Sequence, residues 1–177
     1  MLPLSVLLQH SLLYGSVLSV LMSGVILVSL YLCPQIWVDD APADIQRAVG
    51  PMSARDRQLK RLVGIPTLLA VLGILLHALL RLSALGNGAI TFGDAALSTF
   101  LIIQVFNLVD LVLIDWLVLV TIRPLFLVVP GTEQLQGYRA YRFHFVAFLQ
   151  GVVGSLIISL LIAGITVAIM ALPHQFG

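Results

Sequence analysis

Apolar runs separated by short polar stretches organise this chain. Four of them, at about 11–32, 62–82, 95–122 and 145–172, reach or exceed the roughly 20 residues that a helix needs to cross about 30 Å of hydrocarbon. The pattern predicts an all-α fold, an integral membrane four-helix bundle forming one domain over 1–177, with connections at 33–61 and 123–144. Between the second and third runs, Gly86-Asn87-Gly88 predicts a tight turn, because Gly and Asn tolerate positive φ. In the first connection, the stretch after Pro42 predicts a short amphipathic helix. Ser53 with Asp56 three residues on is a capping-box variant that starts the helix running into the second span. In the second connection Pro124 ends the third helix, LFLVV predicts a short extended segment and PGT a turn. Tyr138, Tyr141, Phe143 and Phe145 then alternate with Arg139, Arg142 and His144, as an interfacial belt or as a loop folded back to line a site.

Composition agrees with a membrane setting: 60% of residues are hydrophobic, 10% are charged and the mean hydropathy is +1.10, against about a quarter charged residues in soluble domains. A formal net charge of +1 gives no reason to invoke nucleic acid. The single Cys33 excludes an internal disulfide and a multi-cysteine metal site. With no basic stretch ahead of the first span and no A-x-A-like site after it, that span reads as a retained helix and not as a signal peptide. Arg47, Arg55, Arg57, Lys60 and Arg61 lie in the first connection and Arg123, Arg139 and Arg142 in the second, with Arg81 alone on the other side. Short basic loops stay in the cytoplasm. Both connections are therefore expected inside and both termini on the non-cytoplasmic side, with the first basic cluster anchoring at lipid headgroups.

Helices approach closely in lipid through small residues. Gly15, Ser19 and Ser23 form one ladder at four-residue spacing, and Gly151, Ser155, Ser159 and Ala163 form another. Both are expected to be helix contacts. The third span carries the unusual chemistry. Taking 100° per residue from Gln104, Asn107 lies at about −60°, Asp110 at about −120° and Asp115 at about +20°, so the four make a broad polar side. Intramembrane carboxylates face protein and find partners. Asp110 is expected near the midplane, as a neutral acid donating to Asn107, a serine or a carbonyl. Asp115, about 7.5 Å nearer the inner face at 1.5 Å per residue, is expected ionised and paired with Arg123, Arg139, Arg142 or His144. Together with Glu133, those four make a candidate inner-mouth cluster.

Cofactor chemistry finds little support. His77 and His144 fall near opposite faces, so one haem cannot join them. His10 is expected ahead of the first span on a mobile end, and His174 in solvent at the C-terminus. No H-E-x-x-H, G-x-S-x-G or Walker loop occurs. No metal, cofactor or catalytic residue is assigned. At LVDLVLIDW, VVPGTE and FHFVAFLQG the chain resembles an uncharacterised family of small four-span bacterial membrane proteins, over about two thirds of its length from APADIQ to the fourth span. That resemblance implies a bacterial inner-membrane location and assigns no residue a role.

The leading expectation is a non-enzymatic accessory or scaffold protein, surrounded by membrane lipid and associating with itself or with other membrane subunits. The first alternative is a small proton-linked transporter or pore using Asp110 and Asp115. The second is a lipid-acting enzyme at the inner face, built on Asp115, His144 and an arginine.

Overall fold

The computed structural model describes residues 2–171, the side chain of Ala171 excepted; His174 and the end of the fourth predicted span lie outside them. The described residues contain no strand. Four helices are long and apolar enough to cross a membrane: α1 (Leu4–Leu32), α3 (Ala54–Leu85), α4 (Phe92–Ile122) and α5 (Tyr141–Ala171). One short helix, α2 (Ala43–Val49), and 3-10 turns at Pro34–Asp40, Leu125–Leu127 and Gln136–Arg139 fill the two long connections. Along α3, Leu62, Ile65, Leu68, Leu69, Leu72, Leu76 and Leu80 stand exposed. Contiguous apolar faces of this extent need hydrocarbon or another protein over them, and the four helices mark a multi-pass membrane protein.

Local chemistry sets the helix boundaries. Ahead of α3, Asp56 Oδ2 accepts the Ser53 N–H at 3.2 Å while Ser53 Oγ accepts the Asp56 N–H at 3.1 Å, the reciprocal capping box expected there. A second box, unforeseen, opens α4: Thr91 Oγ1 accepts the Asp94 N–H at 3.1 Å and its hydroxyl donates to Asp94 Oδ2 at 2.7 Å. Asp94 is buried, and its other oxygen accepts the Leu2 N–H at 3.2 Å. At the end of α3, Asn87 and Gly88 take φ of 57° and 86°, and the Gly88 N–H reaches back to Ser83 O, giving the turn expected at Gly86-Asn87-Gly88. Pro66 sits within α3 and withholds a helical N–H; one residue on, the Thr67 hydroxyl donates to Val63 O at 2.7 Å.

Two expectations change. First, α1 begins at Leu4, with the Val6 and Leu7 N–H groups bonded to Pro3 O, so His10 is buried inside the helix and is not on a mobile end. Proline preorganises a helix start, and Ser5, Gln9 and His10 interrupt the apolar pattern without interrupting the helix. Second, LFLVV is not extended throughout: Leu125–Leu127 coil into a 3-10 turn after Pro124, and Val128 that follows is extended.

Cα packing divides the chain into two units. The first comprises Met1–Ser19, Val71–Asn107 and Leu149–Gly177. Here Leu79, Ala95 and Ala163 form a buried cluster. Gly15 lies against Val105, where an added Cβ would stand 2.5 Å from Val105 Cβ and 2.9 Å from its Cγ1. Gly15, Ser19, Ser155 and Ser159 are buried, and three of the serine hydroxyls bond their own helices: Ser19 to Gly15 O, Ser155 to Val152 O and Ser159 to Leu156 O. Internal satisfaction leaves these ladders free to pack closely. The second unit comprises Val20–Ala70 and Leu108–Phe148 and holds Ser23, which is half-buried. Within it, the Asp44 carboxylate accepts the Gly137 N–H at 2.8 Å, fastening α2 to the second connection.

Gly15→Ala will lower stability by about 1–3 kcal/mol through overpacking against Val105. Gly24→Ala, with nothing within 4 Å of the new Cβ, will leave the thermal unfolding midpoint in detergent unchanged. Equal midpoints for the two variants would contradict the close approach.

Candidate functional site

At Asp110 the third long helix changes its winding. From Asp110 to Ile122 it is π-helical, thirteen residues bonded at five-residue separation. The final link is visible in the Arg123 N–H on Val118 O at 2.8 Å, and beside it the Thr121 side-chain hydroxyl donates to Trp116 O at 2.6 Å. π-Helical segments are normally single turns and recur at functional sites. Asp110 and Asp115 are five residues apart. An α-helix would turn them about 140° from one another at 100° per residue, whereas i to i+5 bonding stacks them on nearly one face. Arg123 ends the segment in the left-handed region, with φ 45°, ahead of Pro124.

Both aspartates line a chamber of about 250 Å³ within the second unit. Ile26 and Leu30 of α1, Ile45 of α2, Ile114 and Leu119 of α4, and Leu127 and Val129 of the second connection form its aliphatic wall. Trp37, Tyr138 and Phe143 add aromatic surface, and Asp40 and His144 add charge. Across it, His144 Nδ1 lies 3.0 Å from Asp115 Oδ1, with the two side chains only 13% and 19% exposed. The imidazole Nδ1–H donates to the carboxylate, which leaves Nε2 as its remaining proton-accepting atom. Two aromatic side chains are held by bonds behind them. Trp37 Nε1 donates to Ser29 Oγ at 2.9 Å, while the Tyr138 hydroxyl sits 2.8 Å from Thr132 Oγ1 and accepts the Val129 N–H at 3.2 Å.

The four-residue polar side read from the third span divides into two groups. Gln104 and Asn107 belong to the first unit, where Gln104 Oε1 accepts from Asn107 Nδ2 at 3.3 Å and from Ser155 Oγ at 3.2 Å. The Asn107 carboxamide lies against Gly151, with Oδ1 2.9 Å from where a Cβ would be. Asp110 makes no hydrogen bond to Asn107, a serine or a carbonyl among the described residues; the widened helix carries it to the chamber side with Asp115. The inner-mouth cluster is likewise only partly gathered. His144 reaches Asp115, but Arg123, Arg139 and Arg142 make no ion pair with either aspartate among the described residues. Glu133 is exposed, and its carboxylate accepts the Gly131 N–H at 2.9 Å. That bond, with a smaller contribution from its own N–H, holds its carboxyl below the usual carboxylate range. It locks the PGT turn and stands apart from the chamber.

Trp37 and Asp40 enter the lining without having been singled out as site residues, because only folding of the first connection over α4 brings them there, while Tyr138 and Phe143 come from the stretch for which a loop lining a site was one of the two readings. Elsewhere, His10 reaches Ser98 Oγ through Nδ1 at 3.3 Å, and Tyr14 touches both His10 and His77, with ring centroids 4.7 and 5.8 Å apart. No group of three His, Cys, Asp or Glu among the described residues is arranged to hold a metal ion. No protein-family model, curated protein or solved structure matches the chain, so the geometry alone carries the functional reading.

His144→Ala will strip Asp115 of its only side-chain hydrogen-bond partner among the described residues and cost about 1.5–3 kcal/mol, the range for bonds to charged groups. Asp115→Asn keeps an acceptor for the Nδ1–H and will cost about 1 kcal/mol or less. Unfolding midpoints of the two variants check the order; a cheaper loss at His144 would show that the pair contributes nothing.

Proposed function

We propose that the protein is a small proton-linked carrier or binding protein of the membrane, which takes a ligand into the chamber and exchanges protons at Asp110 and at the Asp115–His144 pair. The observation that carries this reading is the convergence of both intramembrane acids and an imidazole on one cavity. A carboxyl group in an apolar wall sheds its charge by taking a proton unless a cation joins it, which links occupancy to proton movement. An acid that served only to bind helices together would be enclosed by protein partners, and Asp110 lines the chamber instead. For this reason the carrier reading displaces the scaffold as the preferred one. Association with itself or with other membrane subunits remains the second reading, favoured by the exposed apolar face of α3. As architecture, we propose a bundle with both termini outside and the chamber end inside, in a bacterial inner membrane.

Dicyclohexylcarbodiimide adds to protonated carboxyl groups in apolar surroundings. It will modify Asp110 in the native protein, as peptide mass mapping will locate, and Asp110→Asn will remove the label. If Asp110 reacts only after unfolding, it is a packing acid and the carrier reading fails. Orientation has its own check: in a Cys33→Ser background, Asn87→Cys will react with an impermeant maleimide from outside the cell, and Glu133→Cys only from inside.

A further inference from the structure

The chamber lining has a sign of charge and a chemical character. Asp40, Asp110, Asp115 and His144 line it, without a single lysine or arginine. Two of its carboxylates are already answered. Asp115 is bonded to His144 at 3.0 Å, and Asp40, 61% exposed, lies 3.4 Å from Lys60 Nζ. Asp110 has neither a hydrogen bond nor an ion pair with any described residue. An anion placed beside it would gain no cation and would meet a carboxyl.

The aromatic walls narrow the occupant further. Trp37 has its N–H committed to Ser29, and Tyr138 has its hydroxyl committed to Thr132 and Val129. Their polar groups are thus already bonded within the protein, and what the rings can still offer a ligand is π surface, which attracts positive charge. A metal ion is disfavoured, since it needs converging donors and no group of three acids, histidines or cysteines among the described residues provides them. The aliphatic remainder calls for an apolar body. A volume of about 250 Å³ lies just under the roughly 300–1,000 Å³ of small-molecule sites, which limits that body to about one ring.

Resting on the reading of the chamber as a ligand site, we infer that it binds a small monovalent organic ammonium ion, with Asp110 as counter-ion and Trp37 and Tyr138 as aromatic walls. The Asp115–His144 pair sits beside this seat, its carboxylate already accepting the imidazole N–H.

Calorimetric titration of the full chain in detergent micelles tests this with three probes of similar body: benzyltrimethylammonium, 3-phenylpropionate and 3-phenyl-1-propanol. The ammonium probe will bind saturably at one per chain, and the other two at least tenfold more weakly. Asp110→Asn will weaken the ammonium probe at least tenfold, while Asp110→Glu, which keeps the charge, will restore most of the affinity. Trp37→Leu will weaken it more than Trp37→Phe. Unchanged unfolding midpoints show that these losses belong to the site. Tighter binding of the anionic or neutral probe, or equal binding by Asp110→Asn, overturns the inference while the chamber remains a ligand site. If no probe binds and the carbodiimide still labels Asp110, the inference falls and the proton-exchange reading stands; if the label is absent too, both fall.

Discussion

A carboxyl group inside a helix of leucine, valine and isoleucine cannot be left facing lipid, and this constraint governs the second unit. Asp110 and Asp115 occur in a stretch that is otherwise as apolar as acyl chains, and the cost of an exposed charge there is several kcal/mol. The chain meets it twice and differently. Asp115 is answered by an imidazole from the first turn of α5. Asp110 is answered by a cavity, lined by residues of α1, α2 and the second connection. The π-helical winding joins the two solutions, since it turns both acids to one side.

Much of the fold was legible because it follows from length, periodicity and capping. Four spans, the Gly86-Asn87-Gly88 turn and the Ser53–Asp56 box are local features, and local chemistry fixes them. The early start of α1 was missed because Gln9 and His10 look like a polar leader, although a helix tolerates both. The box at Thr91 and Asp94 had the same spacing as the one recognised at Ser53, and it was available to be read. Its second bond, to the Leu2 N–H, joins residues 92 apart and could not be read.

The site was legible by residue type and illegible by arrangement. Asp110, Asp115 and His144 were picked out from their chemistry, yet a 100° wheel spread the two acids about 140° apart along one broad polar side, where the π-helical winding brings them closer together. No sequence signal of caps or small residues announces a π-helical run, so the angular error was built into the wheel. The arginines were drawn toward Asp115 by their position in the second connection. In the structure none of the three pairs with Asp115 among the described residues, and His144, already helical, does.

The bond between Asp44 and Gly137 has a temporal side. Its two ends are separated by 93 residues, and at a synthesis rate of about 5–20 residues per second the carboxylate of Asp44 waits roughly 5–20 s for its partner to be made. During that interval α2 has no second connection to rest on, and the walls that Leu127, Val129, Tyr138 and Phe143 will supply do not yet exist. The chamber is therefore completed only when the second connection and the first turns of α5 have been translated.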